Sequence, residues 1–133
     1  MASREALSLQ QSYVHLRASG TAEVLAKRGL GVTTEGDSTV IWDPQVEGLL
    51  ASEVEMAESS RHQGERHLDA DEFVYLVAGA ARLTFDERGG SQEVALKPGQ
   101  AVLVPQGIWH RVHIDEPSRL LFISAGRTEV RVR

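Results

Sequence analysis

The chain has 133 residues, a formal net charge of -5 at pH 7 and no cysteine. That length suits one domain around one buried core, and the missing thiols exclude disulfides, zinc ribbons and cysteine nucleophiles. An acidic balance with no more than two adjacent basic residues speaks against nucleic acid and anionic membrane surfaces as partners, and no stretch approaches the ~18 apolar residues of a membrane span, so a cytoplasmic address is expected.

In chain order, residues 13–17 alternate like a strand, whereas residues 21–29 combine good helix formers with a glycine stop and read as a short helix. Residues 39–42 form a further strand that ends before Pro44. From about residue 49 a period of two takes over. Leu50, Val54 and Met56 share one face, with Glu53 and Glu55 on the other. Residues 72–77 are apolar on both faces apart from Glu72, residues 81–85 alternate again, and 86–91 form a charged, glycine-rich hairpin loop. Strands follow at 93–96, 101–104, 109–114, 120–124 and 129–133. Many short strands between turn signals predict an all-β sandwich or barrel.

Two motifs carry more than pattern. Gly99, Pro105, Gly107 and His110 follow the spacing Gly, five residues, Pro, one, Gly, two, His. Upstream, Glu65-Arg66-His67, Glu72 and Gly79 stand in the order His-x-His, three or four residues, Glu, six residues, Gly, with glutamate in place of the first histidine. Together these resemble the two signature motifs of the cupins, from about residue 48 to 126. The resemblance implies a double-stranded β-helix, the jelly-roll cupin barrel, over residues 48–133. Residues 1–47 are then an N-terminal strand and short-helix extension that packs on the barrel or on a partner subunit. A homodimer is expected from the resemblance and from Phe73, Tyr75 and Trp109, whose outward phase calls for a cover.

Glu65 and His67 are two apart and share a strand face; Glu72, Val74 and Leu76 share another, as do His110, Val112 and Ile114. If the barrel closes as in the family, Glu65, His67, Glu72 and His110 converge inside it as ligands of a divalent metal ion (Fe, Mn, Zn or Ni). Each has an alternative. Glu72 pairs instead with Arg82 or Arg61, His62 takes the place of His67, His110 is a half-buried histidine bonded to a backbone carbonyl, and Glu65 is a ligand, points away to leave three ligands, or is a catalytic general base. His15 and His113 read as structural.

The resemblance implies a metal-dependent enzyme acting on a small polar molecule by oxygenase, isomerase or lyase chemistry. The alternative is a non-catalytic cupin that binds a metal or a small ligand as a sensor, carrier or structural module. Trp42 and Met56 are expected at the barrel mouth, and no basic cluster marks an anionic substrate.

Overall fold

The computed structural model describes residues 5–27, 31–35, 38–42, 47–87 and 90–131, with 31–35 and 38–42 described through their backbone. Every regular element among them is a strand: β1 Ser12–Leu16, β2 Ala22–Ala26, β3 Gly31–Glu35, β4 Ser38–Trp42, β5 Leu49–Met56, β6 Gly64–His67, β7 Glu72–Glu87, β8 Gly90–Leu96, β9 Ala101–Val104, β10 Trp109–Ser124 and β11 Thr128–Arg131. All pair antiparallel within one curled sheet.

Two long strands shape the barrel. Residues 72–75 of β7 pair with β9 and residues 73–78 with the later half of β10, whereas residues 81–87 pair with β8 and residues 81–86 with the early half of β10. Each strand therefore serves both leaves. One leaf runs β2-β1-β5-β10-β7-β9 and the other β8-β7-β10-β6-β11-β4-β3. The bend falls at Gly79, whose φ is +97°, opposite register shifts between Ile114 and Leu120. A side chain at Gly79 would run into the Pro117 carbonyl and Ser118. The buried Ser118 hydroxyl accepts the Ala80 N–H at 3.1 Å and lies 2.7 Å from the Glu116 carbonyl, so polar groups freed by the bulge stay satisfied.

The core consists of Val74, Leu76, Ala81, Leu83, Phe85, Leu96, Val104, Val112 and Leu120. It begins one inward position beyond the polar residues: Glu72 is followed by Val74 and Leu76, and His110 by Val112.

Three expectations change. Residues 22–26 are a strand, not part of a helix. All five pair with β1, and a helix over 21–29 would be too short to sustain itself beside a sheet edge that offers backbone partners. The strands expected at 72–77 and 81–85 are continuous in β7, as are those at 109–114 and 120–124 in β10, because glycine and a bulge allow bending without a break. The loop expected over 86–91 is shorter, since Glu87 pairs with Gly90. Residues 88 and 89, Arg28 and Gly29, Asp43 and Pro44, the chain end at 132–133 and the side chain of Trp42 lie outside the described residues.

Candidate metal centre

Cross-strand register gathers the four motif residues. His110 pairs directly with Glu65 of β6 and with Phe85 of β7, while Glu65 also pairs with Val130 of β11. Directly opposed residues of antiparallel strands share a face, so Glu65 lies on the inner side with His110 and the buried Phe85 and Val130. His67 is two residues further along β6, and Glu72 opens β7 after the turn at 68–71. Both motifs build that turn. Gly107 N donates to the His67 carbonyl at 2.8 Å, Gln106 Nε2 to the Leu68 carbonyl at 2.8 Å and Gln106 N to Asp71 Oδ1 at 2.8 Å. From the other side Arg127 clamps Asp69, with Nη2 2.7 Å from Oδ1.

One candidate ligand atom from each of Glu65, His67, Glu72 and His110 lies within 4.8 Å of all the others. Donors about 2.0–2.2 Å from a shared ion lie at most about 4.4 Å apart, so little contraction separates this arrangement from ligation. His67 Nε2 is 3.0 Å from Glu72 Oε2; His110 Nε2 is 3.4 Å from Glu65 Oε1 and 3.7 Å from Glu72 Oε1. His67, Glu72 and His110 are buried, and Glu65 is half-buried.

The far sides of both rings are committed. His110 Nδ1 lies 3.1 Å from the Ile108 carbonyl, which only accepts, so Nδ1 carries the proton. Nε2 of the neutral ring is then a lone pair facing carboxylate oxygens. Only a cation between them, a proton or a metal ion, relieves that arrangement. Burial opposes a charge on His110, but Glu65, Glu72 and the Ile108 carbonyl outweigh it and raise its pKa to about 10. Burial likewise pushes Glu72 up, and His110 and His67 overcome it, holding the carboxyl below its ordinary value. His67 Nδ1 is 3.0 Å from Thr128 Oγ1. Despite the short separations, His67 Nε2, Glu72 Oε1 and His110 Nε2 have no aligned hydrogen-bond partner. Buried polar atoms without partners are costly, and two imidazole nitrogens with carboxylate oxygens suit a first-row divalent ion. The residues fit such an ion.

Arg82 pairs with Asp115 and Glu93, and Arg61 with Glu58, leaving Glu72 to the histidines. His62 flanks the group: its Nδ1 accepts the Gly64 N–H at 3.1 Å, and its Nε2 lies 3.7 Å from Glu65 Oε2. His15 is buried between Glu23 and the Glu47 carbonyl, and His113 lies 2.9 Å from Thr84 Oγ1.

A cavity of about 420 Å³ opens on Glu65, His67 and Glu72. Its wall is not the expected one. Met56 packs against the core, whereas Tyr13 and Lys27 come from the β1–β2 region. Sequence reading missed these two, and Thr128, because nothing local marks them; only the pairing of β1 with β5 and of β11 with β6 brings them to the site. Ile108, also missed, lies two residues before His110 and acts through its backbone carbonyl, which its side-chain type does not reveal.

The sequence profile of the cupin domain family (Cupin_2) matches residues 52–124. No curated protein sequence matches the chain. Among solved structures, a cupin superfamily protein from Desulfitobacterium hafniense DCB-2 is 20% identical over 70% of this chain and 81% of its own, with a TM-score of 0.51. Oxalate decarboxylase from Lactobacillus farciminis, in a formate complex, is 16% identical over 78% of this chain and 34% of its own, with a TM-score of 0.54. HppE in its Co(II) complex with substrate is 13% identical over 65% of this chain and 50% of its own, at 0.50. At these identities the likeness is one of fold. The profile match spans β5 to β10, the strands that carry both motifs and bend to form both leaves, and on that ground the chain belongs to the cupin domain family.

Proposed function

We propose that this cupin is a metal-dependent enzyme acting on a small molecule inside the barrel, with Glu65, His67, Glu72 and His110 holding a first-row divalent ion. The observation that carries the reading is the set of three buried ligand atoms that face one another without an aligned hydrogen bond beside a cavity of ligand size. Two structural neighbours support it by analogy of fold: an oxalate decarboxylase, and HppE, whose structures with Co(II) and with Fe(II) both include substrate.

A bound ion would supply Lewis-acid polarisation of a substrate carbonyl or carboxylate oxygen. The protein's own residues do the rest. The Ile108 carbonyl and Thr128 hydroxyl hold the two rings with Nε2 inward. Leu50, Val54 and Phe122 give the cavity an apolar wall that limits water. Glu65 turns Oε1 toward the histidines and Oε2 toward His62, a placement that favours the ligand role over the base.

The test is metal analysis and Mn(II) titration of protein purified without an affinity tag. Wild type should bind a first-row divalent ion, and His110→Ala or Glu72→Gln should weaken binding by at least ~100-fold while far-UV circular dichroism stays β-type. A wild-type protein that takes up no such ion at micromolar concentration sinks the reading. Metal binding without turnover of any small oxyacid or carbonyl compound would favour a binding module instead.

We also infer a homodimer. Leu103, Phe73, Ile123, Ala51, Val14 and Val24 stand in one register row across six strands of the outer face, with Leu103 69% and Val24 49% exposed. Trp109 lies outside that row, in the other leaf opposite Asp86, where Arg66 and Arg131 stack on its ring at 4.8 and 4.0 Å and cover it.

A further inference from the structure

The cavity holds a cation that the metal centre does not use. Lys27, one residue beyond β2, lines the same cavity as Glu65, His67 and Glu72. Its Nζ donates to the Glu53 backbone carbonyl at 2.9 Å and lies 5.6 Å from the centre of the Tyr13 ring. The nearby Glu53 carboxylate is taken by Arg119 at 2.6 Å and by Gln10 at 3.2 Å. Lys27 makes no salt bridge among the described residues. It is half-buried, and burial draws its ammonium below the ordinary lysine range against the opposing pull of Glu53. A partly desolvated ammonium without a carboxylate partner is unfavourable until an anion reaches it.

Charge balance gives the anion its size. With a divalent ion in place, the carboxylates of Glu65 and Glu72 neutralise it, and Lys27 leaves one positive charge on the cavity. A lone ammonium on a flexible stem suits a single carboxylate, whereas phosphate recognition usually recruits several donors or a guanidinium fork. The same cavity is lined by Leu50, Val54 and Phe122, which offer apolar surface.

We propose that Lys27 receives the carboxylate of a small ligand whose opposite end, a carbonyl or hydroxyl oxygen, lies at the metal centre. This rests on the metal-enzyme reading above and adds the substrate class: a short oxo or hydroxy monocarboxylate. Specificity then comes from the N-terminal hairpin and the chemistry from the barrel.

The probes are levulinate, a keto acid with a carbonyl at one end and a carboxylate at the other, and its neutral amide. Calorimetric titration of the Mn(II)-loaded protein should show levulinate binding at least ~10-fold more tightly than levulinamide. Lys27→Met should weaken levulinate by roughly 10- to 100-fold, as expected for one lost charge-assisted hydrogen bond, and leave levulinamide and Mn(II) affinity within about threefold. Lys27→Arg, which keeps the charge, should retain the levulinate preference and shows that loss in the methionine variant is not misfolding. Equal affinity of wild type for the two probes, or an unchanged preference in Lys27→Met, overturns the proposal. The same titrations without metal separate it from the metal reading. Loss of the levulinate preference in metal-free Lys27→Met supports the anion site even if Mn(II) fails to bind, and persistence of the preference there overturns it.

Discussion

Glu65 stands where the motif resemblance expects histidine, and its register against His110 brings one carboxylate oxygen to 3.4 Å from that ring. As a ligand it adds negative charge beside a divalent ion, so Glu65→Gln should lower Mn(II) affinity at least ~10-fold in a competition titration. Glu65→His should keep an ion bound and shift preference toward softer metals, because imidazole is softer than carboxylate. Unchanged metal affinity in Glu65→Gln together with a turnover loss of roughly two to four orders of magnitude would instead make Glu65 a general base. The positions of Glu65, His67, Glu72 and His110 were legible because side-chain phase along a strand is a local property and the motif spacing fixed their order. Lys27 was not. Its place depends on β1 pairing with β5, across more than twenty residues of intervening chain, and its own segment read as helical.

At the scale of the element, Gly79 and His15 each hold a piece of architecture. Gly79→Ala meets both a positive φ and the Pro117 carbonyl, whereas Gly99, with φ +90°, has open space around it. Urea unfolding should therefore show a loss of about 2–4 kcal/mol for Gly79→Ala, against about 1–2 kcal/mol for Gly99→Ala. The glycine was visible in the motif; the bend it permits was not, because two apolar segments with a glycine between them look alike whether the strand stops or turns. His15 ties β1 to its surroundings, with Nε2 2.6 Å from the Glu47 carbonyl and Nδ1 3.0 Å from Glu23, which also pairs with Arg17. The Glu47 carbonyl and then Glu23 raise its pKa above the ordinary value of 6.5, against burial and the charge of Arg17. A raised pKa in the folded state contributes stability that is complete below about 6.5 and is lost as pH climbs through the folded value. Amide exchange of β1 and β2 should accordingly quicken between pH 6 and 9 by more than the intrinsic base-catalysed rate, and His15→Gln should flatten that dependence. Exchange in β1–β2 that follows only the intrinsic rate would show that His15 does not latch the hairpin.

For the whole molecule, the outer apolar row across six strands predicts association of two copies. Sedimentation at micromolar concentration should give twice the 14.6 kDa chain mass, and Leu103→Lys should return it to one. A monomeric wild type would leave that face unexplained by self-association. The barrel also distributes its candidate ligands unevenly: Glu65, His67 and His110 sit in one leaf, and Glu72 stands at the start of β7 where it pairs with β9 in the other. An ion held by all four is thus a rivet between leaves that share no disulfide. At a free concentration a hundred times its dissociation constant such an ion would add about 2.7 kcal/mol to the folded state, a sizeable fraction of what a domain of this size possesses. If such an ion is bound, opening the barrel would wait on its release, and the lifetime of the folded protein would track metal supply, with scarcity marking it for proteolysis.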